Sequence, residues 1–345
     1  MFIASGSYTG NGTATAVSGM VGAPRFVMVK GRTGGTNALM TIDTMTADLS
    51  KDMANTGAVF ADGIVSLDAN GFTTGADARC NTNAVVYDWL AIGGVAADIA
   101  TGTYSGNSAA NEINISPAFL PVFVYTVPVG ASTVRPSWVN TTSAADSLAH
   151  NVGITAGFAG FTSLDADGFT MPSSATYNVT GTDYAYIALK AAPLYLSSFK
   201  YTGDGTDDRT ITGAGFQPEN VWTKNTSQTI QAAWKPKGQS TDASSGLQNA
   251  TTAANIIQAF TADGFQVGSG AANTDTRVFY VQAFKDVTAT IVGGGPGNSG
   301  NAPGRGRGNP NPGRGGGGGG GNGGGNGGGA LLQKSFWGMR KRRTR

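Results

Sequence analysis

The chain has 345 residues, 40% of them apolar and 13% charged. The apolar share is enough to bury a core in each of two or three domains, while the charged share is about half the usual one. One cysteine (Cys80) and one histidine (His150) exclude an internal disulfide, a multi-cysteine metal centre and a histidine-cluster zinc site. The net charge of +2 hides an asymmetry: residues 293–345 hold nine Lys or Arg and no acid, leaving 14 basic against 21 acidic residues, a net of −7, in 1–292. Any attraction to a polyanion therefore belongs to the C-terminal segment alone. The opening MFIASGSYTG has neither a basic nor a long apolar stretch, so no secretory leader is expected there. No apolar run approaches the ~18 residues of a membrane span.

From the N-terminus onward one unit is written three times. It opens with Gly6-Ser7-Tyr8-Thr9-Gly10, Gly102-Thr103-Tyr104-Ser105-Gly106 and Lys200-Tyr201-Thr202-Gly203, with the tyrosines 96 and 97 residues apart. Next come Pro24 with Val27, Val29 and Lys30, and Pro218 with Val221 and Lys224. The second copy, Pro121 with Val124, has Val127 in the lysine position and is the most diverged. A turn follows: Asn70-Gly71-Phe72, Asp167-Gly168-Phe169 and Asp263-Gly264-Phe265, its glycines 97 and 96 apart. Each copy closes on Asn81 to Tyr87, Asn178 to Tyr184 and Asn273 to Tyr280. The period exceeds the 20–45 residues usual for solenoids. Three tandem domains are therefore expected at 1–96, 97–193 and 194–290. They are read as beads, each with its own core, on short linkers near 94–101 and 191–197.

The local pattern is that of strands. Asn-Gly and Asp-Gly suit the type I′ turn of a two-residue hairpin, and alternating apolar residues flank them: Val65 and Leu67 before, Phe72 after. Val85 to Ile92 is a nearly continuous apolar run and predicts a central strand. Residues 42–55 and 243–260 carry Ala and Leu and predict one short helix or a long loop. The fold class expected is all-β, with three antiparallel sandwich or jelly-roll-like domains. The acidic turns do not read as calcium loops, because the twelfth position from Asp68 is Arg79 and from Asp165 is Thr176, where a bidentate acid is required. Cys80 reads as a small buried apolar residue, and His150 as a loop or core residue.

From residue 291 to 329 glycine dominates, and such a segment lacks the apolar surface to offset its ordering entropy. As a coil it would span roughly 33 Å, and stretched on the order of 120 Å. Apolar residues return in 330–345. Leu331, Leu332, Phe336, Trp337 and Met339 precede Arg340, Lys341, Arg342, Arg343 and Arg345. Leu332, Phe336 and Met339 stand at helical spacing. A tether ending in a sticky peptide predicts docking onto a partner assembly. Nucleic acid is expected only through this basic end, and membrane-surface binding and simple solubilisation are the lesser readings.

Catalytic signatures are missing. There is no phosphate loop and no Gly-x-Ser-x-Gly elbow, and glutamate occurs only at Glu112 and Glu219. The expectation is a non-enzymatic protein with no cofactor, catalytic residue or metal site. The third copy, Tyr201-Thr202-Gly203-Asp204-Gly205-Thr206-Asp207-Asp208-Arg209-Thr210-Ile211 followed by Gly215-Phe216-Gln217-Pro218-Glu219-Asn220-Val221-Trp222-Thr223-Lys224, resembles a module of bacteriophage virion proteins, tail-associated or head-decorating, whose own function is unknown. The resemblance covers about 1–287 and is loosest in the second copy. It implies a structural protein made in the host bacterial cytoplasm and assembled onto the virion, as a tail fibre, spike or host-attachment component, or alternatively as a capsid decoration. The partners it implies are other virion proteins, a host-surface glycan or protein, and, by analogy with such appendages, further copies of itself in a trimer.

Overall fold

A computed structural model of the chain describes residues 1–53, 57–130, 136–139, 147–149, 160–225, 231–248, 251–274 and 276–287. His150 and the peptide 330–345 lie outside the described residues. The architecture is nearly all β, and every strand pair is antiparallel. The first copy has β1 (Phe2–Thr9), β2 (Thr15–Ser18), β3 (Pro24–Gly31), β4 (Leu39–Ile42), β5 (Lys51–Asp52), β6 (Ile64–Asp68), β7 (Gly71–Thr74), the one-turn helix α1 (Ala78–Asn81) and β8 (Val86–Gly93). The second has β9 (Ile99–Ser105), β10 (Asn111–Asn114), β11 (Pro121–Pro128), β12 (Pro136–Val139), β13 (Leu148–Ala149), β14 (Ser163–Asp165), β15 (Gly168–Met171) and β16 (Asp183–Lys190). The third has β17 (Leu196–Thr202), β18 (Arg209–Thr212), β19 (Asn220–Asn225), β20 (Ala233–Pro236), β21 (Ala243–Gly246), β22 (Thr252–Ala254), β23 (Ile257–Thr261), β24 (Gly264–Val267) and β25 (Val278–Phe284). The described residues of 42–55 and 243–260 hold strands and turns and no helix. The first contains β5, and the second contains β21, β22 and part of β23.

Each copy is a two-layer sandwich with one topology. The large sheets run β1-β8-β3-β4-β5, β9-β16-β11-β12-β13 and β17-β25-β19-β20-β21-β22. The small sheets run β2-β7-β6, β10-β15-β14 and β18-β24-β23. The expected central strand is β8, held between β1 and β3.

The repeated residues explain the local structure. Tyr8 stacks on Tyr87 (ring centroids 5.4 Å apart), Tyr104 on Tyr184 (4.9 Å) and Tyr201 on Phe279 (5.2 Å). The ring equivalent to Tyr87 and Tyr184 is therefore Phe279, six residues after Asn273, and not Tyr280, which turns to the opposite face of β25. Phe72, Phe169 and Phe265 meet these pairs edge-on. Asn81, Asn178 and Asn273 are fully buried. Their amides hold the loop that follows the opening strand: Asn81 Oδ1 accepts from Asn11 N (3.0 Å), Asn178 Oδ1 from Asn107 N (3.3 Å) and Asn273 Oδ1 from Asp204 N (3.1 Å).

The glycine turns are two-residue hairpins, but of another kind than expected. Asp68 pairs with Gly71, so Ala69 and Asn70 form the turn, and neither has positive φ. Gly71 opens β7, and a Cβ there would stand 1.9 Å from the Val17 carbonyl oxygen; Gly168 would meet Ile113 O at 2.0 Å and Gly264 would meet Ile211 O at 2.0 Å. The glycine is required for close approach between strands, not for a type I′ turn.

The copies are not separate beads. Alternate residues of each large sheet face its own small sheet: Trp89 and Ala91 in β8, Tyr186 and Ala188 in β16, Val281 and Ala283 in β25. The residues between them face a fourth cluster common to all three copies, which contains Met28, Leu90 and Ile92, then Phe123, Tyr125 and Ile187, then Trp222, Trp234 and Phe284. A lone sandwich would leave that second apolar face in water, at a cost of about 1.5–3 kcal/mol for each large side chain. Burying the three faces on one another removes it. The position of Lys30 and Lys224 belongs to this inner face, which is why Val127 can occupy it in the second copy. Residues 1–292 accordingly form one compact unit.

Candidate functional site

None of the ten residues expected to dock a partner (Leu331, Leu332, Phe336, Trp337, Met339, Arg340, Lys341, Arg342, Arg343 and Arg345) falls within the described residues. Among the described residues, several polar contacts gather where the first copy meets the others. Cys80 behaves as expected: it is fully buried, and burial pushes its thiol up to about 12.

The join between the first and third copies is the more polar. Arg32 donates to Asp88 through Nε (2.9 Å) and Nη2 (2.7 Å), and Nη2 also reaches Gly238 O at 2.9 Å. Gln239 Nε2 donates to the same carboxylate at 2.8 Å. Asp88 is fully buried, so these charge-assisted bonds are what make its charge tolerable there. Backbone bonds run from Ala38 N to Leu247 O (2.9 Å) and from Thr252 N to Arg32 O (3.0 Å). Further along, Ser5 Oγ donates to Asp286 at 2.8 Å, Lys237 pairs with Asp286, and Val287 N donates to Ile3 O at 2.7 Å. Towards the second copy, Arg25 Nη1 donates to Ile99 O (2.9 Å), and Lys51 Nζ bridges Gly57 O and Gly130 O (both 2.6 Å).

Beside the first join lies a groove of about 510 Å³, lined by Gly34, Gly35, Thr36, Asn37, Asp52, Arg79 and Gln248. The loop after β3 supplies the first four residues, β5 supplies Asp52, α1 supplies Arg79, and the third copy supplies Gln248. Arg79 is fixed on two sides. Its Nε and Nη2 grip Asp77 at 2.8 and 2.6 Å, and its Cζ sits 3.1 Å from the centre of the Phe60 ring. Hydrogen bonding to Asp77 raises the guanidinium pKa further. The third nitrogen, Nη1, is 3.7 Å from Asp52 Oδ2, beyond hydrogen-bond length. Asp52 is only 7% exposed, yet its Oδ1 has no hydrogen-bond partner, and neither has the buried Oγ1 of Thr36. Each such orphan costs about 1–3 kcal/mol, more for a charged group.

A family described as a domain of unknown function (DUF7483) matches residues 2–193 and again 190–291. The chain belongs to the DUF7483 family. The first match spans the first two sandwiches and the second spans the third. No curated protein and no solved structure matches it.

The repeat did not announce the groove in the sequence. Its signal is departure from the repeat. Arg79 aligns with Thr176 in the second copy, where Ser174 stands at the Asp77 position and accepts from Thr176 N at 3.1 Å in a turn, with no helix there.

Proposed function

We propose that this protein is a non-enzymatic structural component of a bacteriophage particle: a tail fibre, spike or host-attachment protein held to the virion through residues 330–345. The resemblance of the third copy to phage virion modules supports it. The observation that carries it furthest is the fusion of three sandwiches around one apolar core. That arrangement commits the inner faces to rigidity and leaves loops and joins to meet a partner. Asp68, in the first hairpin turn, accepts from Ser66 and Thr73.

A second reading, decoration of the capsid, is favoured by the same arrangement, because three like lobes about one centre suit a threefold position of a shell. Both readings need the anchor. Removing residues 330–345 is expected to leave a folded protein that purified particles no longer contain. Undiminished incorporation would overturn the anchor. Retention of the peptide on DNA at moderate salt would favour a nucleic-acid role.

A further inference from the structure

We infer that a second groove, between the second and third copies, binds a guanidinium, the head group of an arginine. The inference stands whether or not the chain is a particle protein. The groove has a volume of about 330 Å³, within the range of small-molecule sites, and is lined by Val122, Ala192 and Pro193 and by Leu196, Ser198 and Ala214 of the third copy. The repeat shows what such a groove is shaped for. Val122 is the extra residue of a bulge between Pro121 and Phe123, and Arg25 is the extra residue of the same bulge between Pro24 and Phe26. A bulge re-aims its side chain out of the ladder. From there Arg25 reaches the next copy, where Nη1 donates to Ile99 O (2.9 Å) and Nη2 to Thr101 Oγ1. Counted back from Tyr104 and Tyr201, the third copy has Leu196 where the second has Ile99, and Ser198 where it has Thr101. Val122 is short and carries no donor, and the groove lies between it and these two residues.

The acceptors are in place. Lys285 N bonds to Tyr195 O and Gly203 N to Arg277 O, so the odd-numbered residues of β17 turn their main-chain groups to β25. Leu196 and Ser198 turn theirs to the opposite edge, the one on which Ile99 O meets Arg25. Among the described residues no group donates to Leu196 O across this join. Ser198 Oγ gives its hydrogen to Gln282 Oε1 at 2.6 Å and keeps its lone pairs for a donor. Ser5, at the same position of the first copy, does the reverse: its Oγ donates to Asp286 at 2.8 Å and so suits a carboxylate. A planar guanidinium supplies two N–H groups at once, one for the carbonyl and one for the hydroxyl. The net charge of −7 on residues 1–292 favours a cation, and Val122, Leu196 and Ala214 offer an apolar wall to its methylenes.

Saturation-transfer NMR on the full chain tests this, with N-acetylarginine amide at millimolar concentration, and N-acetyllysine amide and acetate as controls at constant ionic strength. The arginine amide is expected to bind, and the lysine amide, a point charge of the same sign, to bind roughly tenfold more weakly. Val122→Arg places a guanidinium in the groove from within the chain, as Arg25 does between the first and second copies, and is expected to abolish binding. Ser198→Ala removes one acceptor and is expected to weaken binding roughly tenfold, the loss typical of a hydrogen bond to a charged group. This second variant keeps the test decisive if Val122→Arg does not fold. A capped pentapeptide with arginine at its centre separates the sources. Tighter binding than the amide assigns the site to an arginine of a partner chain, and equal or weaker binding to a small guanidinium compound. No binding of the arginine amide, equal binding of the lysine amide, displacement of the arginine amide by acetate, or binding unchanged in both variants would each overturn the inference.

Discussion

Lysine is the residue that sets this interior apart. Lys30, Lys51, Lys224 and Lys235 are each less than 5% exposed. The ammonium groups of three reach backbone carbonyls: Lys30 at Thr36 O, Lys51 across the first two copies, and Lys235 at Ser240 O (3.0 Å) and Ala243 O (2.6 Å). Burial lowers Lys30, Lys224 and Lys235 from 10.5 to about 8. Between those values the unfolded chain holds more protons than the folded one, so stability rises with pH. Cys80 is raised from 9.0 to about 12, and burial raises Tyr8, Tyr104 and Tyr201 above their ordinary 10.0. These groups ionise first in the unfolded chain and reverse the slope, the thiol above pH 9 and the tyrosines above 10. Denaturant unfolding is therefore expected to show stability rising from pH 8 to 9 and falling above 10. A flat or falling profile between 8 and 9 would contradict this account of the buried lysines. Packing at this scale is also complementary across copies. Gly6 faces Trp89 and Gly102 faces Tyr186, where a Cβ would meet the rings at 2.8 and 2.5 Å, whereas in the third copy Phe199 faces Val281. Small opposite large is kept, and the sides are exchanged.

Among the elements, the hairpins show where sequence and structure part. The pattern Asn-Gly or Asp-Gly locates all three two-residue turns, because alternation and turn residues fix where a strand reverses. It mistakes the reason, since the demand on Gly71 comes from Val17 on β2, a strand more than fifty residues earlier. The two explanations predict different mutants. In a type I′ turn Asn would substitute for Gly71 with little loss, since Asn tolerates positive φ. Here Gly71→Asn and Gly71→Ala are both expected to cost about 3 kcal/mol by overpacking, measured by equilibrium unfolding, and a loss under about 1 kcal/mol would restore the turn explanation. Strand identity, the central β8 and the aromatic anchors were legible because each rests on local periodicity. The shift from Tyr280 to Phe279 was not, because it depends on which ring reaches Tyr201. The groove was not legible either. Asp52 and Arg79 are 27 residues apart in the sequence, and Gln248 comes from a different copy.

For the molecule as a whole, the common core changes what the repeat means. Three copies of one sandwich motif predict beads, and each copy does keep a core between its two sheets. The inner faces of the large sheets are apolar too, and their union makes one body of residues 1–292. Under the proposed function, this body is the part displayed and residues 330–345 are the part that attaches it to the particle. Location and copy number in purified phage particles, by quantitative mass spectrometry with labelled-antibody electron microscopy, test that reading most directly. The account predicts the protein in the particle, in a few copies at the tail as an attachment component, or in many on the head under the decoration reading. A protein abundant in the lysate but missing from purified particles would contradict it.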